Sequence, residues 1–319
     1  MPFLIGTDEA GYGPNLGPLT ITGTLWRSQF SENDLYAALA EVVCERKKGR
    51  NDPRLIVADS KQVYKPSGSI RELERSVLSL VRATDKSIPQ NVKELCQAVC
   101  PTVDWESIRT QQGYLFDDVR LPLAASLDSI EKSAERFCDC AAQADVELLK
   151  IDCSPVFPNT FNRRVQQLGN KAHLLSGETL KIARRLKVMA DDDLEIICDK
   201  HGGRNRYAGV IQHVLTDQAV SVGAETRAES DYAFREDDRD VIVRFRAGGE
   251  SFLPTAVASM VSKYVREVFM IAWNQFWTTR VDDLKPTKGY PVDAKRFKME
   301  IANKQTELSI KDADIWRCR

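Results

Sequence analysis

The sequence predicts one α/β domain with insertions. Three observations carry that expectation. Apolar or threonine-rich runs at 3–8, 19–26, 147–151, 194–199 and 241–246 read as strands. Helical patterns alternate with them, clearest at 70–83, 121–144, 171–189 and 254–276. Three of the strands end in acids, which places charge where sheet edges open. With 319 residues, 43% apolar and 29% charged, the chain can bury a sizeable core and has ordinary globular composition.

Taken in order, residues 3–8 form a strand that ends at Asp8-Glu9 and meets the turn Ala10-Gly11-Tyr12-Gly13-Pro14 and Gly17-Pro18. Threonine-rich alternation over Leu19–Trp26 predicts its neighbour, joined in hairpin fashion. A helix is expected at about 32–48, capped by Ser31 or Asn33. Asp59-Ser60-Lys61 precedes the helix at 70–83 and either caps a helix or touches phosphate. In 121–144, Leu123, Leu127, Ile130, Ala134, Phe137 and Ala141 recur at helical spacing and read as core. The run Asp191-Asp192-Asp193 reads as a solvated helix end. Residues 217–239 are polar and predict a hairpin or surface excursion. Pro254 opens a strong helix to about Phe276 with Met260, Val261, Tyr264, Val265, Val268 and Phe269 on its buried side.

A net charge of −1 implies no attraction of the whole molecule to nucleic acid or anionic membrane, so any such binding needs a local basic patch. No apolar run approaches the ~20 residues of a membrane helix. The start Met1-Pro2-Phe3-Leu4 lacks the basic stretch and long apolar run of a signal peptide. A cytoplasmic protein without membrane association is expected. The eight cysteines include Cys96 and Cys100 on one helical face and the close pair Cys138 and Cys140. Neither pair has zinc-site spacing, so mostly free, buried thiols are expected.

The acids Asp8, Glu9, Asp199 and Glu250 close three strands, and strand ends on one sheet edge converge. Successive strand residues face opposite ways, so Asp8 and Glu9 share one site only if the backbone bends or Glu9 reaches round the edge. Carboxylates gathered together raise one another's pKa values. Bound Mg²⁺ or Mn²⁺ relieves that repulsion and suits all-oxygen ligands. Two such ions, roughly 4 Å apart, activate a water and stabilise the leaving oxygen of a phosphodiester. The competing reading is a set of solvated strand-end acids placed by chance among the 46 in the chain.

The order of these segments resembles the type 2 ribonucleases H, the ribonuclease HII and HIII family. Asp8-Glu9-Ala10-Gly11-Tyr12-Gly13-Pro14 with Gly17-Pro18 is similar to the family's D-E-A-G-R-G-P-x-x-G-P. Asp59-Ser60-Lys61 looks like its D-S-K, and Ile197-Cys198-Asp199-Lys200 stands where a strand ends in V-D-G. Ile151-Asp152, followed by the helix at 171–189, resembles the stretch ahead of the third acid. Gly248-Gly249-Glu250-Ser251 and Pro254 are similar to K-G-D-x-x-x-P, and Ala258–Glu267 resembles A-S-I-x-A-K-V-x-R-D. Lys288-Gly289-Tyr290-Pro291 matches H-K-G-Y-P without its histidine.

The resemblance implies a ribonuclease-H-like fold: a mixed five-stranded sheet flanked by helices, with helical insertions. Its catalytic domain would span 1–276, with insertions near 87–150 and 205–240. Residues 277–319 would form a C-terminal helical extension packed on the same domain and closing a nucleic-acid groove. It implies a divalent-metal hydrolase, an endonuclease cutting the RNA strand of RNA–DNA hybrids or ribonucleotides embedded in DNA. Asp8, Glu9, Asp199 and Glu250 would be catalytic and hold two Mg²⁺ or Mn²⁺ ions with substrate. Gly11, Gly13 and Tyr290 would read the ribose 2′-hydroxyl, the sugar group that separates RNA from DNA. Lys61, Ser259 and Lys263 would hold phosphates. No obligate protein partner is implied. Arg266 reads as part of the helix's solvated face, and Arg204 with Arg206 as either phosphate contacts or partners of the acids.

Two departures matter. Tyr12 replaces the arginine of G-R-G beside the substrate, and Glu250 lengthens a ligand arm by one methylene. They leave two alternatives standing: a hybrid-binding protein with impaired catalysis, and a nuclease of this fold acting on another nucleic-acid structure.

Overall fold

The computed structural model describes residues 1–30, 34–49, 51–65, 68–106 and 119–318. Its central feature is a seven-stranded mixed sheet flanked by helices. The strands are β1 (Phe3–Ala10), β2 (Leu19–Ser28), β5 (Val146–Val156), β6 (Leu194–Asp199), β7 (Ser221–Glu225), β8 (Glu229–Glu236) and β9 (Arg239–Arg246), in the spatial order β5-β2-β1-β6-β9-β8-β7. β1 runs antiparallel to β2 and parallel to β6, which is parallel to β9. The five expected strands are present, and the hairpin formed by β7 and β8 adds two more at the β9 edge. The turn from β8 to β9 places Asp237 and Asp238 at φ 50° and 61°, the left-handed pair that a tight hairpin demands.

Strand alternation separates two cores. Phe3 and Ile5 of β1, with Leu19, Ile21 and Leu25 of β2, pack against Leu174, Ile182 and Leu186 of the helix Lys171–Lys187. Leu4 and Trp26 face the opposite layer, formed by the helices Arg71–Asp85, Leu127–Gln143 and the long helix Leu253–Thr278. Each such buried aliphatic or aromatic side chain contributes about 1.5–3 kcal/mol.

The threonines of β2 explain how the long helix is held. Thr20, Thr22 and Thr24 lie on one face, all fully buried. Thr20 donates to Ser262 O at 2.8 Å and Thr24 to Pro254 O at 2.9 Å, while Ser262 Oγ donates to Thr22 Oγ1 at 2.7 Å. Gly6 completes the seat, because a Cβ there would overlap the backbone at Pro254 and Thr255. The long helix therefore lies directly over β1 and points its side chains at the β1 terminus.

Several expectations change. The helix proposed over 32–48 is only Leu35–Ala38; Val43–Cys44 (β3) instead pairs in parallel with Leu55–Ile56 (β4). The β-branched, buried Val42-Val43 pair suits that strand better than a helix. The proposed caps Ser31 and Asn33 lie outside the described residues. The helix expected from 121 begins at Leu127, capped by Ser126; ahead of it the N–H groups of Leu123, Ala124 and Ala125 donate to the Glu74 carboxylate. Helices Pro158–Leu168 and Ala208–Val214 were not anticipated.

Five cysteines are buried and all eight are free thiols, with the Cys100 thiol pushed well above its usual range by hydrogen bonds to Cys153 and Cys96. Among the described residues, no helix is long and apolar enough to cross a membrane.

Candidate active site

The pairing of β1 with β6 stops at Thr7↔Cys198, whereas β1 continues beside β2 through Ala10↔Thr20. Asp8 and Glu9 thus lie on a strand end with one free edge. Asp199 is the last residue of β6, beside that edge. The open edge resolves the alternation problem: both carboxylates reach the same cavity, of about 330 Å³, although they leave the strand in opposite directions. The Asp8 carboxylate turns back to accept the Glu9 N–H at 2.7 Å.

Ten residues expected at the site line this one cavity: Asp8, Glu9, Asp199, Gly11, Tyr12, Gly13, Lys61, Ser259, Lys263 and Tyr290. Glu250 falls in the 3₁₀ turn Gly249–Ser251 after β9; its side chain lies outside the described residues. The backbone of that turn does reach the site, since Gly249 N–H donates to Asp199 Oδ1 at 3.0 Å.

The electrostatics are those of acids packed without enough compensation. Burial, then Glu9, then Asp199 hold Asp8 well above the usual carboxylate range. Burial and Asp199 push Glu9 up to about 7, against the pull of Lys61. Glu9 Oε2 is buried with no hydrogen-bond partner. A hard cation fits that donor chemistry: all-oxygen ligands, mutually repelling, with an oxygen left unsatisfied. Among the described residues, no three His, Cys, Asp or Glu side chains form a group able to hold a metal ion as they stand.

The other residues take more varied places. Ser259 is buried, its hydroxyl lying between the Ser60 hydroxyl at 3.2 Å and the Asp8 carboxylate. Lys61 follows Asp59, whose side chain accepts its N–H at 3.1 Å, so Asp59 caps the short helix Ser60–Val63. Lys263 lines the cavity but donates to the buried Glu267 at 2.7 Å; Lys288 donates to the same carboxylate at 2.6 Å. Both ammonium groups lie near the Tyr64 ring, at 5.3 and 5.7 Å. Tyr290 stands half-exposed at the rim. A side chain at Gly13 would meet nothing within 4 Å, so glycine there leaves the rim open.

Arg266 is a correction: it is buried, not solvated. Its Nη2 donates to Leu16 O at 3.2 Å and Lys288 O at 3.1 Å. Gly11, at φ +88°, has no room for a side chain because Arg266 Nε fills that space. The signal was available in the stripe Ser259, Ser262, Arg266 and Met270, which continues one helix face at i+3 and i+4 spacing. Arg204 turns to Ser176 Oγ at 3.1 Å and the carbonyl of Arg206, while Arg206 faces Glu225 at 3.6 Å.

Sequence reasoning missed Tyr64, Lys171 and Arg317. Lys171 holds its ammonium 4.5 Å above the Tyr12 ring. Arg317 donates from Nη2 to Gly11 O at 2.6 Å and to Pro14 O.

The molecule is thus a mixed α/β protein with a carboxylate-lined cavity at the end of its central strands. Neither a family model nor a curated protein sequence matches the chain. It is similar in structure to ribonuclease HII in the PCNA:RNase HII complex from Archaeoglobus fulgidus, with 14% identity and a TM-score of 0.47 over 99% of this chain and 94% of that one. It is also similar to ribonuclease H2 from Pyrococcus horikoshii OT3, with 13% identity and a TM-score of 0.48 over 98% and 92% of the two chains. A third similarity is to Bst-RNase HIII in complex with Mn²⁺, at 12% identity and a TM-score of 0.40. There the match covers 99% of this chain but 65% of the other.

Proposed function

We propose that this chain is a divergent type 2 ribonuclease H, a divalent-metal endonuclease acting on the RNA strand of RNA–DNA hybrids or on ribonucleotides embedded in DNA. One observation carries the reading: Asp8 and Glu9 share a cavity with Asp199, and burial with mutual repulsion holds both Asp8 and Glu9 above the usual carboxylate range. A protein that merely bound nucleic acid would gain nothing from buried acids facing phosphate, since they repel it. Acids so placed are useful when a cation joins them.

Asp8, Glu9 and Asp199, with Glu250 by the sequence resemblance, would hold Mg²⁺ or Mn²⁺. Bound there, such ions supply an activated water and charge neutralisation at the leaving oxygen. The chain's own residues do the remaining work. Ser259 orients Asp8 by hydrogen bonding, and Lys61 favours the ionised form of Glu9. The open rim at Gly13, beside Gly11 and Tyr290, admits a nucleic-acid backbone close enough for a ribose hydroxyl to be read. Lys61 and Lys263 put positive charge on the approach to the acids.

The test is a cleavage assay with Mg²⁺ or Mn²⁺ on three substrates: hybrid duplex, DNA with one embedded ribonucleotide, and branched DNA. Cleavage of the first two, abolished in Asp8→Asn and Asp199→Asn, is expected. Absence of cleavage with both metals would sink the reading, and cleavage of branched DNA alone would replace it.

A further inference from the structure

Residues 315–318 reach back to the glycine turn at the start of the chain. Leu16 and Trp316 form an antiparallel bridge, with Arg317 N–H donating to Asn15 O at 2.8 Å and Asn15 Nδ2 to Arg317 O at 3.1 Å. From that anchor the Arg317 side chain runs under the turn, 1% exposed, with Nη2 donating to the carbonyls of Gly11 and Pro14. Its guanidinium rests 4.9 Å from the Phe161 ring centroid. Nε and Nη1 have no hydrogen-bond partner.

Burying a guanidinium with two of its nitrogens unsatisfied is costly, and a simple staple between two segments needs no charge. The cost is understandable if the position of the two carbonyls matters. Arg266 holds the same turn at other points, filling the space beside Gly11 and donating to Leu16 O. The turn is therefore gripped by two arginines, while its outer surface at Gly13 stays open to the cavity.

We infer that Arg317 is a positioning residue: by fixing the Gly11 and Pro14 carbonyls it holds the Gly11–Gly13 backbone at the place where a ribose 2′-hydroxyl is distinguished from hydrogen. The inference rests on the proposed nuclease reading for the identity of the ligand. It assigns to a segment outside the acid cluster the sharpness of RNA-against-DNA selection. Selection by backbone groups depends on their placement within a fraction of an ångström, and a displacement near 1 Å costs up to ~10²-fold.

The experiment compares full-length wild type with Arg317→Ala and Arg317→Lys. Affinities for an RNA–DNA hybrid and for the all-DNA duplex of the same sequence are measured in EDTA. Peptide-level hydrogen exchange over residues 10–18 is followed in parallel. In Arg317→Ala the hybrid-over-DNA affinity ratio should fall about tenfold through loss of hybrid binding alone, and exchange in 10–18 should accelerate by a similar factor. Lysine keeps the charge and a donor but not the planar guanidinium set against Phe161, and should give an intermediate ratio. A merely structural role would weaken both duplexes together. If Arg317→Ala does not fold, the lysine variant decides. An unchanged ratio in a folded variant, with wild type discriminating, overturns the inference. A wild type that binds both duplexes equally in EDTA also overturns the inference, since the turn then selects no sugar on binding, while the cleavage assay with Mg²⁺ or Mn²⁺ decides the nuclease reading separately.

Discussion

The ammonium of Lys171 sits 4.5 Å above the ring of Tyr12. Lys171 opens the helix Lys171–Lys187, where the positive end of the helix dipole disfavours a cation, so helix stability does not account for it. The aromatic face does, at roughly 0.5–1 kcal/mol for an exposed pair. The pair places a positive charge beside the glycine turn.

Lys171→Ala should therefore weaken hybrid binding several-fold at moderate salt and reduce the salt slope of log affinity by about one. Tyr12→Arg alone should also weaken it, because the new guanidinium meets Lys171, and the double variant should recover. Fluorescence anisotropy between 50 and 200 mM salt would check all three. Equal affinity and slope in Lys171→Ala would exclude a role for that cation.

Glu9 gives a pH dependence in metal-free protein. Burial and Asp199 raise it from 4.5 to about 7, so between those pH values the folded state keeps a proton that the unfolded state has lost. Folded stability from this group is thus greatest below about 4.5, falls as pH rises through that window, and levels off above 7. Glu9→Gln removes the dependence. Its melting temperature in EDTA should match wild type near pH 5 and exceed it by several degrees at pH 8. A difference that does not change with pH would contradict the assignment. The same substitution should abolish metal-dependent cleavage, separating stability from activity.

Glu74 ties the region at 119–143 to the long helix. Fully buried, it accepts the N–H groups of Leu123, Ala124 and Ala125 at 2.6, 2.6 and 2.8 Å, and the Tyr264 hydroxyl at 2.8 Å. Glu74→Ala removes the acceptor from four donors, of which the Ala125 N–H and the Tyr264 hydroxyl are buried, and should cost about 3 kcal/mol by urea denaturation. Tyr264→Phe removes one donor and leaves three, and should cost about 1 kcal/mol. A loss below 1 kcal/mol in Glu74→Ala would mean the turn finds other partners.

What was legible in the sequence followed burial and alternation. Thr20, Thr22 and Thr24 announce a strand with one polar, buried face, and Asp8, Glu9 and Asp199 stand out because acids rarely end apolar runs. Arginine defeated the same logic. Arg266 and Arg317 look like surface residues in one dimension; only the tight turn, with carbonyls facing inward, makes a buried site for them. Glu74 was hidden for a related reason, since its partners are backbone groups released by a turn that has no apolar pattern. The helix expected at 32–48 failed because Val43 and Cys44 had a strand partner twelve residues on, which local propensity does not record.

The Gly11 clamp comes from a residue 306 positions downstream. During synthesis, β1, β2 and β6 can pair and bring Asp8 beside Asp199 long before Arg317 has left the ribosome. A nascent chain then carries the acid cluster before the residue that clamps the glycine turn beside it. The order of translation therefore completes the two halves of this cavity at different times.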